Sequence, residues 1–336
     1  MKSYYIKLTG VGESEVAEEE ISFDDLKDDE AIIRADYSMI SAGTELSRAF
    51  ALKKGFQYPV RPGYCMVGRV LKKGKDIEAE EGDLVFVNAP HSSLVRWSDS
   101  DRVQGTTIKK IEEGVDPLDA TAINLMLVAL QGVNLSSVKL GDTVGVFGLG
   151  NIGIITALMY QKMGCRVIGL DPVKERCTLA EEMGLKYTVS DMDQKKAIME
   201  LSEDKGLDIA VDVTGLTPVI ISCIENARAY GQVVLLGSPR VSYETDATAL
   251  LSKIHMKDLK VLGAFNKTAP VHPVDGSNDC IDRNFRIVCD LLKEKYIDVR
   301  KMISRIIDPK DCRQAYEDLM YHKDIASCIV FDWRNY

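Results

Sequence analysis

The middle of the chain alternates short apolar runs with amphipathic stretches. Apolar runs at 143–147, 166–170, 186–189, 208–213, 232–236 and 260–264 have the length and β-branched content of strands. Between them, residues 152–163, 173–183, 195–202, 218–229 and 247–255 carry apolar positions at helical spacing. Strand followed by helix, repeated about five times, predicts a doubly wound parallel α/β sheet. Gly164, Gly184 and Gly231 each follow a predicted helix, where a left-handed C-cap residue is expected.

The flanking segments have a different pattern. Up to about residue 118, glycine-rich turns separate β-like runs at 31–35, 66–70 and 83–87, with little helical periodicity. Beyond about residue 266 come two helical patterns, 281–295 and 309–322, and a closing strand at 327–331. The expected organisation is a mostly-β domain of residues 1–118 plus 266–336, with an α/β domain of residues 119–265 inserted into it.

Bulk properties narrow the function without choosing it. The chain has 336 residues, enough for two domains, and a formal net charge of −9. That acidic balance argues against a nucleic-acid surface, which needs clustered Lys and Arg. The acidic run from Glu13 to Glu30 is expected to form a solvated face. The longest apolar stretch, 152–159, is too short to span a bilayer, and residues 1–7 lack an apolar signal core. None of the eight cysteines forms a C-x-x-C pair. Reduced, mostly buried thiols in a cytoplasmic protein are the expectation.

Gly148-Leu149-Gly150-Asn151-Ile152-Gly153 is a G-x-G-x-x-G pattern placed directly after a predicted strand and before a predicted helix. The six-residue pattern alone is weak; in that context it reads as a dinucleotide-binding turn. Gly148 permits the tight turn, Gly150 lets backbone approach a pyrophosphate, and Gly153 lets helix and strand pack closely. The helix N-terminus then offers unpaired N–H groups to the phosphates. The next strand ends at Asp171, about twenty positions beyond Gly150, where a carboxylate accepts the ribose hydroxyls and disfavours a 2′-phosphate, so NAD is the expected cofactor. Helix capping is the structural alternative for Asp171. Arg176 and Lys174 stand near enough in sequence to shield the adenosine and blunt that selection. Thr214-Gly215 and Gly237-Ser238, at later strand ends, are expected to flank the ligand.

These motifs, with Gly82-Asp83-Leu84-Val85-Phe86-Val87 and Val211-Asp212-Val213-Thr214-Gly215, occur in an order that resembles the medium-chain dehydrogenase/reductases. The resemblance implies a GroES-like catalytic domain split around a Rossmann domain. It also implies hydride transfer and a dimer or tetramer in which the last Rossmann strand, near 260–264, pairs between subunits. Zinc-dependent members carry three ligands that this chain replaces. Ile40-Ser41-Ala42-Gly43-Thr44-Glu45 has no cysteine before its Thr-Glu pair, Tyr64 stands where the family has a histidine, and residues 122–125 supply no thiolate or carboxylate. The four-cysteine loop of a structural zinc is missing between Val87 and Val103. Ser41-Ala42-Gly43-Thr44-Glu45 with Pro62-Gly63-Tyr64 is similar to a zinc-less branch that includes bacteriochlorophyllide dehydrogenases, a similarity too short to imply a pigment substrate. Glu45, Cys65 and His91 would form a different ligand set, an uncommon trio for zinc; Cys65 is read instead as a small buried residue.

Without a metal, a hydrogen-bonding side chain must polarise the carbonyl and move the proton. Tyr64 is the expected relay group, supported by Thr44 and oriented by Glu45; a packed aromatic is the alternative. His91, after the 83–87 run, is a second acid/base candidate or else a surface-loop histidine. His255, His272 and His322 are read as structural, and 266–279 as either a lid or a plain connector. The leading expectation is an NAD(H)-dependent oxidoreductase acting on an alcohol, polyol or carbonyl compound. An NAD(P)H-dependent alkene or quinone reductase and a non-catalytic nucleotide-binding protein are the alternatives.

Overall fold

The computed structural model describes residues 1–52, 55–99, 108–190, 194–239, 241–275, 279–322 and 327–336. The chain forms two compact units, residues 1–124 with 267–336, and residues 125–266. Together they have the GroES-like plus Rossmann α/β fold.

The first unit begins with β1 (Lys2–Gly10) and β2 (Glu13–Glu20), an antiparallel pair. The acidic run thus contains a strand, whose register places Glu18 and Glu15 within reach of Lys2 and Lys7. β3 (Glu30–Met39), α1 (Ala42–Ala49), β4 (Met66–Lys73), β5 (Leu84–Val87), β6 (Leu94–Ser98) and β7 (Lys109–Lys110) follow. Helix α1 lies in the segment read as mostly β with little helical periodicity. It is one short element containing Gly43 and Thr44, and its inner face includes the buried acid Glu45, so its pattern is weak.

The second unit carries the sheet predicted from the alternation. The chain enters it through α2 (Ile123–Leu135), which is buried along most of its length and so shows no amphipathic period. Then come β8 (Thr143–Phe147), α3 (Asn151–Lys162), β9 (Arg166–Leu170), α4 (Lys174–Glu182), β10 (Tyr187–Val189), α5 (Gln194–Leu201), β11 (Leu207–Asp212), α6 (Thr217–Asn226), β12 (Ala227–Leu235), α7 (Ala247–Met256) and β13 (Lys260–Gly263). The strands are all parallel and ordered β10-β9-β8-β11-β12-β13, so the order reverses between β8 and β11. Every residue of β8 is buried, as a central strand covered on both faces requires. Phe147, Ile168, Ala210 and Val233 share one core, each large side chain adding about 1.5–3 kcal/mol by burial.

Gly164 and Gly184 have positive φ values of 85° and 104°, as helix caps should. Gly231 corrects the expectation. Helix α6 ends at Asn226, β12 has already begun, and the left-handed residue is Tyr230, with φ 61°. Gly231 instead lies so close to its neighbours that a Cβ would sit 2.9 Å from the Arg228 carbonyl oxygen.

The chain returns to the first unit as α8 (Ile281–Lys293), β14 (Arg305–Ile307), α9 (Cys312–Tyr321) and β15 (Ile329–Asp332). β15 lies antiparallel to β3, which also pairs with β4 and β6. Ile6, Leu8, Ile33, Val85, Phe331 and Trp333 pack in one core, joining both ends of the chain. No helix among the described residues is long and apolar enough to cross a membrane. Of the 266–279 segment, residues 276–278 lie outside the described residues.

Candidate functional site

Two constellations, one in each unit, hold the sequence-predicted residues. In the second unit, the C-terminal ends of β9, β8, β11 and β12 carry four short loops along one rim of the sheet. Gly148 turns with φ 98°, its N–H donating to the Leu170 carbonyl at 2.7 Å. Gly150 is the N-cap of α3, and the space a Cβ would enter is open. At Gly153 a Cβ would fall 1.8 Å from the Gly148 carbonyl oxygen, so only glycine lets α3 start this close to the turn. Asn151 and Ile152 are half-buried on the first turn of α3, whereas the Leu149 side chain is wholly buried and leaves only its backbone for a ligand.

Asp171 makes the capping contact expected as its structural alternative and a second bond to the glycine-rich turn. Its Oδ1 accepts the Val173 N–H at 2.9 Å before α4, and its Oδ2 accepts the Leu149 N–H of the glycine-rich turn at 2.8 Å. The carboxylate therefore ties β9 to the turn as well as ordering the approach to α4. Arg176 Nη1 lies 3.2 Å from the same Oδ2, so a guanidinium partly offsets this charge. Asp171 is buried and Arg176 half-buried.

Sequence reasoning missed the organiser of the other two loops. Asp212, fully buried at the end of β11, accepts from the Thr214 N–H at 2.9 Å, the Thr214 hydroxyl at 2.6 Å and the Gly215 N–H at 3.0 Å. Its carbonyl accepts the Leu236 and Gly237 N–H groups. One residue thus joins the Thr214-Gly215 and Gly237-Ser238 loops, with Gly237 buried and Ser238 exposed. The Asp-x-Thr-Gly spacing, a side chain bonding the backbone two residues on, is the signal that identifies it.

In the first unit, Tyr64 is buried, and its hydroxyl bonds to Ser41 Oγ and, at 3.2 Å, to Thr44 Oγ1. A phenol has one proton, so it donates to one hydroxyl and accepts from the other. Burial pushes the Tyr64 phenol well above the usual tyrosine range, which keeps it as O–H. Thr44 is half-buried, the most accessible member of this trio.

Behind them lies a second layer. Glu45 is buried, and three donors reach its carboxylate: the Ser41 N–H at 2.7 Å, the Tyr316 hydroxyl at 2.7 Å and His91 Nε2 at 2.9 Å. His91 Nδ1 meets Ser38 Oγ at 2.7 Å, and Trp333 Nε1–H donates to that same oxygen at 2.8 Å. One tautomer uses every donor: Trp333 donates to Ser38, Ser38 to Nδ1, and Nε2–H to Glu45. His91 is therefore not a surface-loop residue. It is fully buried with both nitrogens engaged, edge-on to Phe331 at 5.1 Å between centroids. Ser38, Tyr316 and Trp333 were not foreseen; the last two lie more than 200 positions from Tyr64 and carry no local motif. Of the remaining histidines, His272 pairs with Asp282 at 2.6 Å, while His255 and His322 lie at helix ends.

The donor set does not fit a catalytic zinc. Such a site needs three Cys, His or carboxylate ligands with an open position. Glu45 and His91 are committed to each other and to Tyr316, Ser41 and Ser38, while burial pushes the Cys65 thiol well above its ordinary range. Among the described residues, no group of three or more His, Cys, Asp or Glu side chains is placed to hold a metal ion. The Glu45–Cys65–His91 trio is thus not a ligand set in this arrangement.

A family model described as zinc-binding dehydrogenase matches residues 151–275, which lie mostly in the Rossmann unit and include none of Thr44, Glu45, Tyr64 or His91. Among curated proteins, D-guloside 3-dehydrogenase of Shigella flexneri is 29% identical over 176 residues, covering 51% of this chain and 49% of that protein. A 2-dehydro-3-deoxy-L-galactonate 5-dehydrogenase of Pseudoalteromonas atlantica is 26% identical over 235 residues, covering 69% and 62%. The matches thus span about half to three fifths of the length of these relatives. Among solved structures, galactitol-1-phosphate dehydrogenase from Escherichia coli superposes with a TM-score of 0.83 at 17% identity, covering 98% of this chain and 99% of that one. A Sinorhizobium meliloti 1021 structure bound to NADP superposes at 0.78 and 19% identity, covering 99% of each chain. At these identities the structures establish the fold.

Proposed function

We propose that the chain is an NAD(H)-dependent oxidoreductase that interconverts an alcohol or polyol with its carbonyl compound without a catalytic metal. The glycine-rich turn carries the reading: it opens onto the N-terminus of α3, with Gly153 against Gly148 and Asp171 bound to the turn. When bound, the cofactor supplies or accepts the hydride. Tyr64 gives its proton to the developing alkoxide oxygen, and the phenol is reprotonated from solvent water through Thr44, the most accessible hydroxyl bonded to it, each hydroxyl passing on one proton as it receives another. In the oxidative direction the same hydroxyls carry the alcohol proton away. Glu45 orients Ser41 and so the trio.

The dehydrogenase names of the relatives support this reaction class, and Asp171 supports NAD over NADP. The Arg176–Asp171 pair is the feature that favours the second reading, an enzyme that also accepts NADPH and reduces an alkene or quinone. The zinc-less branch is supported by the residues at the three family ligand positions. A homodimer through the free edge of β13 is supported by exposed Val261, Phe265, Leu251 and Met256 on β13, α7 and the adjoining chain. A reducing, cytoplasmic setting is supported by eight buried, unpaired cysteines.

Titration with NADH and NADPH, followed by turnover on butane-2,3-diol, galactitol, methyl glycosides, their carbonyl products, and an enone and a quinone, tests the reading. Tighter NADH binding with turnover of an alcohol–carbonyl pair is expected. Turnover of the enone or quinone alone would establish the second reading, and NADH binding without turnover of any of these would make the chain a nucleotide-binding protein.

A further inference from the structure

The reading of Tyr64 as proton donor leaves unexplained why a charged-type network lies fully buried behind it. Trp333, Ser38, His91, Glu45 and Tyr316 form an unbroken series of hydrogen bonds, each between 2.7 and 2.9 Å, and every member is nearly or wholly inaccessible to solvent. The Tyr64 hydroxyl bonds instead to Ser41 and Thr44. The route from the series to it is through the backbone. Glu45 Oε1 accepts the Ser41 N–H at 2.7 Å, while the Glu45 N–H donates to the Ser41 carbonyl at 2.9 Å. This reciprocal pair closes the first turn of α1, from which the Ser41 and Thr44 hydroxyls reach Tyr64.

We propose that Tyr316 and His91 are positioning residues for proton transfer: they hold the Glu45 carboxylate in the one orientation that fixes Ser41, and so keep the Ser41–Tyr64–Thr44 hydroxyls in line. Tyr316 comes from α9 and Trp333 follows β15, so the C-terminal segment supplies the two outer ends of the series. Burying a carboxylate is costly unless each lone pair has a donor, and a fully satisfied network has one geometry. The ionisable groups that face Glu45 are His91, Tyr316, Tyr64, Cys65 and Cys328. Burial pushes the Cys328 thiol up to about 12 and raises the Cys65 thiol and the Tyr64 and Tyr316 hydroxyls as well, so these four keep their protons beside Glu45. This role rests on the reading of Tyr64 above, and the test separates the two.

Tyr316→Phe keeps the ring and removes one donor to Glu45. Amide exchange at Ser41, which needs no substrate, is expected to accelerate about tenfold, the factor for one net hydrogen bond of typical strength, with exchange in residues 125–266 unchanged. With the fastest alcohol of the panel above, kcat is expected to fall about tenfold while KM stays within twofold. In a Tyr64→Phe background the same change is expected to cost less than twofold, because residues acting through one group are not additive. Equal losses in both backgrounds, or an unchanged Ser41 exchange rate, would overturn the inference while leaving Tyr64 as the donor. Full activity in Tyr64→Phe would overturn the donor reading and this role with it. His91→Gln, which keeps an N–H toward Glu45, is expected to retain more activity than His91→Leu, and equal losses in the two would count against the network even if Tyr316→Phe does not fold.

Discussion

The glycine-rich turn and the buried cluster around Tyr64 and Glu45 are built from different materials. The turn uses backbone atoms from six consecutive residues, held by Asp171 and by the contact of Gly153 with Gly148. The cluster uses side chains from α1, the β3 and β4 ends, the loop after β5, α9 and the segment after β15. Backbone sites are set by local conformation, so a single wrong Cβ destroys them. Side-chain clusters are set by tertiary packing, so single losses weaken them by steps.

The largest expected effect is at Gly153. Gly153→Val places atoms inside the Gly148 carbonyl, so NADH affinity should fall at least a hundredfold and unit 2 should lose several kcal/mol, read by fluorescence titration and calorimetry. Normal NADH binding by that variant would mean the turn does not hold the cofactor. Raising the pH separates the units differently. Burial lifts the phenols of Tyr64, Tyr316 and Tyr160 above their ordinary value near 10. Above pH 10 the unfolded chain releases these protons more readily, so the contribution of these tyrosines is intact below pH 10 and falls beyond it by about 1.4 kcal/mol per pH unit for each. Tyr64 and Tyr316 belong to the first unit, as do Tyr37 and Tyr336, whose phenols burial also raises, against Tyr160 in the second, so the first unit should lose stability more steeply. Both tryptophans, Trp97 and Trp333, lie in that unit, so their fluorescence during urea melts at pH 9 to 11 reads it selectively.

The two regions also differ in how far sequence alone could reveal them. The G-x-G-x-x-G turn, Asp171 and the alternating strands were legible because each depends on neighbours in sequence, and β8 and β9 begin and end where their apolar runs do. α2 escaped because a helix buried along most of its length has no polar face to give a period. Thr44-Glu45 was visible only as a match to a family pattern and Tyr64 only as a departure from it, and nothing local connected them to Tyr316 or Trp333. His91 was seen, yet its burial was not, since a histidine between Pro90 and Ser92 looks like any loop residue. Asp212 lay within a quoted motif, and its bonding became apparent only when the two loops met.

Glu45→Gln sharpens the comparison from the cluster side. An amide cannot accept from all three donors, so Ser41 N–H or another buried donor is orphaned, and unit 1 should lose about 3 kcal/mol by urea melting while NADH affinity is unchanged. A smaller effect is expected from Asp171→Ala: the ratio of NADPH to NADH dissociation constants should narrow about tenfold, with the freed Arg176 available to a 2′-phosphate. An unchanged ratio would return Asp171 to a purely structural role.

The proposed reaction rests on Tyr64 and its hydroxyl partners moving the proton without a metal ion. The direct measurement is NADH-dependent turnover, together with elemental analysis, before and after exhaustive dialysis against a strong chelator. Undiminished turnover at well under a tenth of a metal ion per chain is the predicted result. Activity that disappears on dialysis and returns with stoichiometric zinc would contradict it, and would require the buried cluster to rearrange into a ligand set it does not now form.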